Sequence, residues 1–187
     1  YVKASDDSVV LGYLKKLADG LLKMQIQDTT SAAYGAFLSW QNIWHGWGNC
    51  QSQALAELYR IDPDQRYPDA VLRETNYFYE YWRTKGYPNS ITFFKKDTVR
   101  IKYIQQFEQI AYAFRTAILG CLRTHEITSD PVFAEKAADI GAWFFGENPA
   151  NTRMYDPATG RCFDGINSEN EVNRNSGAES TIEALYA

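Results

Sequence analysis

Histidine is almost missing from this sequence: His45 and His125 are the only two in 187 residues. Three cysteines accompany them (Cys50, Cys121, Cys162), none in a CxxC spacing. That set is too sparse for a zinc or redox motif, so neither a catalytic metal nor any other cofactor is expected. Long basic runs are absent as well. Net charge is −4 and no basic run exceeds the two residues of Lys95-Lys96, which argues against a nucleic-acid partner. No apolar run approaches the roughly 20 residues that cross a bilayer, so no membrane partner is expected. Residues 1–8, YVKASDDS, lack the charged leader and apolar block of a signal peptide. Nor is there a GxSxG, Walker or dinucleotide-binding glycine motif, which disfavours esterase and nucleotide chemistry.

What the chain has in excess is aromatic side chains: 13 Tyr, 10 Phe and 5 Trp. Two uses are open. The rings can fill the core, or they can line a groove whose flat faces suit sugars. The cysteines divide similarly: Cys50 and Cys121 fall in helical patterns and read as small buried hydrophobes, whereas Cys162 lies in a polar loop and leaves a disulfide open.

Along the chain, Val10, Leu14, Leu17, Leu21 and Met24 recur at helical spacing after Asp6 or Asp7 as start signal. A loop holding Trp40, Trp44, His45 and Trp47 with Gln41, Asn42 and Asn49 then feeds a helix marked by Trp47, Cys50, Ala54, Leu58 and Ile61. Such a concentration of tryptophan and polar groups suits a ligand site or a plug that packs the loop. A third helix is predicted over residues 66–85, with Pro68 in its first turn and Gly86 just past its end. Residues 90–94, SITFF, have a short strand as one reading. The longest helix is predicted from about Tyr103 to Thr128, and a fifth from Asp130-Pro131 to near Gly146. A sixth opens at Ser176, where Ser176 and Glu179 have the spacing of a capping box. Its pattern still runs at Ala187, which reads as a truncated or divided protein. Three helix–loop–helix units, with exposed helices alternating with buried ones, predict one all-α domain over residues 1–187 built of antiparallel helical hairpins.

Residues 155–187 carry few large apolar side chains before Ile182 and many glycines, asparagines and carboxylates. Polar loops held on a scaffold are where binding and catalysis concentrate. Within and just before this stretch, Trp143-Phe-Phe-Gly-Glu-Asn-Pro149 resembles the LLGxNP segment of inverting cellulases built on an (α/α)6 toroid, and Asn170-Glu171-Val172 resembles the NEV triplet that carries their general acid. Tyr155-Asp-Pro-x-Thr-Gly160, Asp164-Gly165 and Asn173-x-Asn175-x-Gly-Ala-Glu-Ser-Thr181 are similar to further toroid proteins of that clan. The resemblance covers roughly residues 140–187 and implies about half of a toroid, its C-terminal part, with the remaining half or a second copy as partner. It also implies a glycoside-hydrolase-like protein that binds or cleaves oligo- or polysaccharide. The DAGD-type motif that carries the base in those cellulases is absent, and inverting hydrolysis needs two carboxyls about 6.5–9.5 Å apart.

Candidates for the acid are Glu171, Asp164 and Glu179, although a capping box would account for Glu179 and a turn cap for Asp164. Glu171 would need burial among aromatics to hold its proton. Trp44, His45, Trp47, Asn49, Tyr155, Asn173 and Asn175 are the candidate substrate-binding residues, on the expectation that the Trp-rich and C-terminal loops share one face. Two alternatives stay open: a non-catalytic carbohydrate-binding or interaction module, and a polysaccharide lyase in which Tyr155, Arg174 and Asn175 handle a uronic acid.

Overall fold

The apolar stripe of residues 10–24 does form a helix. In the computed structural model, which describes residues 7–187, α1 spans Ser8–Met24. Of its two predicted start residues, Asp6 lies outside the described residues. Asp7 caps the helix, its Oδ1 accepting from the Val9 and Val10 N–H groups at 3.0 and 3.1 Å. Helix α2 (Gln51–Tyr59) follows the Trp-rich loop, but it buries Ser52, Leu55, Ala56 and Leu58 and leaves Ala54 outside. Next, α3 (Arg66–Arg73), a π-helical turn (Glu74–Phe78) and α4 (Tyr79–Thr84) run on as one interrupted helix. Gly86 follows at φ +71°, a conformation that favours glycine. Helix α5 (Ala111–Thr128) is the axis of the molecule, with packed neighbours in α2, α6 (Val132–Gly141) and α7 (Ala178–Tyr186).

The all-α expectation is wrong. The chain is 49% helical and 18% strand, with three antiparallel sheets, so a purely helical half-toroid is excluded. The first sheet joins β1 (Ile43–His45), β2 (Ser90–Lys95) and β3 (Val99–Gln105) in that order. The second joins β4 (Gln109–Ile110), β7 (Gly165–Ser168) and β8 (Glu171–Asn173), and the third is the β5–β6 pair (Tyr155–Asp156, Arg161–Cys162). The helix predicted from Tyr103 therefore begins only at Ala111. Its supposed first turns are the end of β3 and β4, because β3 pairs with β2, where Ile91 and Phe93, two residues apart, are buried opposite Ile104 and Ile101.

The exposed–buried alternation also fails at two helices. The interrupted third helix buries Tyr67, Val71, Phe78, Tyr79 and Trp82, while α7 is peripheral and buries only Ser180 and Glu183. Rings dominate the main core. Phe114 stacks on Trp143 at 4.0 Å, and Trp82, Tyr87 and Phe144 surround that pair. A ring of this size contributes about 1.5–3 kcal/mol on burial. All three cysteines are free; burial pushes Cys121 and Cys162 up to about 12, far from reactive thiolates. Among the described residues no helix is long and apolar enough to cross a membrane.

Candidate functional site

Pairing in the first sheet decides which side chains face outward. Directly opposed residues on antiparallel strands share a face. Trp44 opposes Ile91, which opposes Ile104, and this row points into the core. The rows on either side point out: His45, Ser90 and Gln105 in one, and Ile43, Thr92 and Tyr103 in the other. Trp40 bridges to Ile43 and extends the second row. Beyond the bulge between Thr92 and Phe93, Phe94 opposes Arg100. The outward face thus gathers four large exposed rings: Trp40 (65%), Trp47 (51%), Phe94 (57%) and Tyr103 (60%). Trp47 belongs to it through His45, whose imidazole stacks on the indole with centroids 4.1 Å apart and planes 10° from parallel.

Behind this face the Trp-rich loop is tightly held. Gly46 packs so closely on α5 that a Cβ there would stand 2.8 Å from the Ala113 Cβ. Trp44 is 1% exposed, with its ring edge-on to Phe78 and Trp82, so it offers nothing to a ligand. Burial lowers the His45 pKa and keeps the imidazole neutral near pH 7. Among the described residues, Trp44 Nε1, His45 Nδ1, Asn49 Oδ1 and Gln51 Oε1 are buried with no protein partner. Unpaired buried polar atoms are uncommon in folded proteins, and this run of eight positions carries four.

Asn49 is itself buried and neighbours Glu74, the carboxyl that burial pushes to about 7. Ser52 Oγ donates to Glu74 Oε2 at 2.5 Å, Tyr79 OH donates to the same oxygen at 3.1 Å, and the Phe37 N–H reaches Oε1 at 3.4 Å. These contacts hold the carboxyl down but do not offset its desolvation. Glu74 is fully buried, sealed by Ser52 of α2, Tyr79 of α4 and the Phe37 backbone, so it does not reach the surface where a ligand would lie.

The C-terminal loop supplies mostly structural contacts. Asp164 Oδ1 accepts from the Gly177 N–H at 3.1 Å and from Ser180 Oγ at 2.6 Å, which makes Asp164 the group that caps α7. The predicted capping box does not form: the cap position is Gly177, no side chain caps there, and Ser176 and Glu179 are exposed. Glu171 is exposed on β8 and accepts from Asn167 Nδ2 at 3.2 Å; no aromatic burial surrounds it. Asn173 Oδ1 accepts from the Asn175 N–H at 3.1 Å, and the Asn175 carbonyl accepts from the Asp164 N–H at 2.8 Å. Tyr155 stands edge-on to Phe145 beside an apolar cavity of about 690 Å³ near the end of α7. Asn148, in the cellulase-like segment, holds its own turn, donating to the carbonyls of Trp143 and Thr152 at 2.7 Å each.

The two loops do meet the same end of α5. Gly46 touches Ala113, and the Ala111 N–H donates to the Asp164 carbonyl at 3.2 Å. Among the described residues no hydrogen bond or ion pair joins the side chains of Trp44, His45, Trp47 or Asn49 to those of the C-terminal candidates. Sequence reasoning missed Phe94 and Tyr103, which belong to the ring face only through long-range pairing. It also missed Glu74, although a carboxylate on the apolar stripe of Val71, Thr75, Phe78 and Trp82 was a readable signal. No protein-family model matches the chain, and no curated protein matches it.

Proposed function

We propose that the protein binds oligo- or polysaccharide along the outward face of the β1–β2–β3 sheet. The observation that carries this reading is the placement of Trp47, Trp40, Tyr103 and Phe94, all more than half exposed, on one face of the sheet. Sugar rings have apolar faces that stack on aromatic side chains and hydroxyl rims that need hydrogen bonds. Ser90 and Thr92, in the rows between the rings, supply hydroxyls for that rim. An open face with several rings spread across it suits a chain of sugars better than a single one. The resemblance of residues 140–187 to inverting cellulases points to the same ligand class.

Binding, rather than cleavage, is the function assigned to this chain. Holding a catalytic proton near neutral pH requires a buried carboxyl at the ligand face. Glu171 and Glu179 are exposed, Asp164 is committed to α7, and Glu74 is sealed in the core. The test is a glycan panel on the intact chain with Trp47→Ala, Tyr103→Ala and Trp44→Ala compared side by side. Each exposed ring should contribute about 0.5–1.5 kcal/mol of affinity, roughly two- to tenfold, with little change in melting temperature. Trp44→Ala should instead destabilise by about 3–5 kcal/mol. Unchanged affinity in both exposed-ring variants would remove the proposal.

A further inference from the structure

We infer that the glycan is an acidic polymer, gripped by the cationic end of the β2–β3 hairpin; this rests on the sheet-face reading above. Residues 94–103 read FKKDTVRIKY. They hold Lys95, Lys96, Arg100 and Lys102 against a single carboxylate, Asp97, in a chain whose net charge is −4. All four cations are exposed, and none makes an ion pair among the described residues. Arg60, Arg66, Arg83, Arg115 and Arg123 are each ion-paired, whereas the hairpin gathers four unpaired cations within eight residues.

The sheet order makes β3 an edge strand, and lysines on an edge guard against pairing with other chains. Guarding does not call for exposed rings beside the charges. Here Phe94 directly opposes Arg100, and Lys102 is the bulge residue next to Tyr103 in sequence. Cation and ring side by side is the combination that takes a sugar bearing a carboxylate or sulfate: the ring stacks on the apolar face while the guanidinium or ammonium meets the anion.

Reach argues for a polymer. From Ser90, beside His45, to Phe94, opposite Arg100, is four residues, about 13 Å at strand rise. A single sugar at the Trp47–His45 stack would not touch the cations, whereas a chain lying along the face would meet both. Neutral hydroxyls at Ser90 and Thr92 separate the two ends, a pattern that favours a hydroxylated chain over the dense phosphates of a nucleic acid.

The experiment compares polygalacturonate, alginate and chondroitin sulfate with their esterified or desulfated counterparts, and with single-stranded poly(U), using the intact chain at low and high salt. At least one acidic polymer should bind tenfold or more tighter than its neutral counterpart, and high salt should erase the difference. Arg100→Gln combined with Lys102→Gln should abolish the preference yet leave neutral binding and melting temperature unchanged. Asp97→Asn should widen the preference. Equal affinity for acidic and neutral forms, with both lost in Trp47→Ala, would overturn the acidic inference and leave the glycan reading standing. Tighter binding of poly(U) than of any glycan, or no binding to any member of the set, would overturn both.

Discussion

Replacing Glu74 by glutamine should change how stability depends on pH, by an amount the structure allows to be worked out. The folded carboxyl titrates at about 7, against 4.5 for the ordinary group. Below 4.5 it is protonated in both folded and unfolded chains and contributes no difference. Between 4.5 and about 7 the native state keeps the proton that the unfolded chain has released, so stability falls as pH rises. Above 7 the loss is complete, and at about 1.4 kcal/mol per pKa unit it reaches about 3 kcal/mol. Among the groups packed against Glu74, Tyr79 is held well above 10 and Cys121 near 12, so neither titrates in this window. His45 does titrate nearby with the opposite sign: its lowered pKa contributes stability above 6.5 that is lost in acid. It is common to both proteins and cancels in their difference. Glutamine retains the carbonyl for the Phe37 N–H and offers an amide to Ser52 and Tyr79. Urea unfolding of both proteins from pH 4 to pH 8 is the assay. The glutamine variant should gain about 3 kcal/mol relative to the parent across that range, or roughly 6–12 °C in melting temperature. A difference that is flat with pH, or that favours the parent at pH 8, would refute a carboxyl desolvated in the core.

Two further outcomes follow from the C-terminal loop. Asp164→Ala removes the acceptor of the Gly177 N–H and of Ser180 Oγ, so it should cost about 0.5–2 kcal/mol and speed amide exchange in the first turn of α7. Glu179→Ala should stay within about 0.5 kcal/mol of the parent; the reverse order would restore the capping box. Gly165→Ala would place a Cβ 2.2 Å from the Gln109 carbonyl oxygen, where β7 lies on β4. Denaturant titration should show a loss of at least about 1–3 kcal/mol, and a midpoint near the parent's would mean the strands are not so close.

Local pattern was enough to locate α1, the stretch from Arg66 to Thr84, and the break at Asp130-Pro131, whose Asp130 Oδ1 accepts from the Val132 N–H at 3.0 Å. Those features depend on neighbours within one or two turns, so spacing alone reports them. The Trp-rich loop was also visible as a concentration of rings and amides, but which ring turns outward was not. Trp44 and Trp47 are three residues apart; one is core and the other surface because Trp44 opposes Ile91, 47 residues away. The end of β3 from Tyr103 and the short strand at 109–110 were read as helix for the same reason. Their apolar residues suit either period until a partner strand is present, and that partner comes from residues 90–95 and 165–168. Glu74 was legible only as an oddity on an apolar stripe, since Ser52 and Phe37 reach it from other elements. The cap of α7 comes from Asp164, across a loop and thirteen residues back, and not from the Ser176–Glu179 spacing that local pattern offered. Short-range periodicity and composition were properties of the sequence itself, whereas strand pairing, the outward ring face and the burial of a single carboxyl were decided by long-range contacts that exist only once the chain has folded.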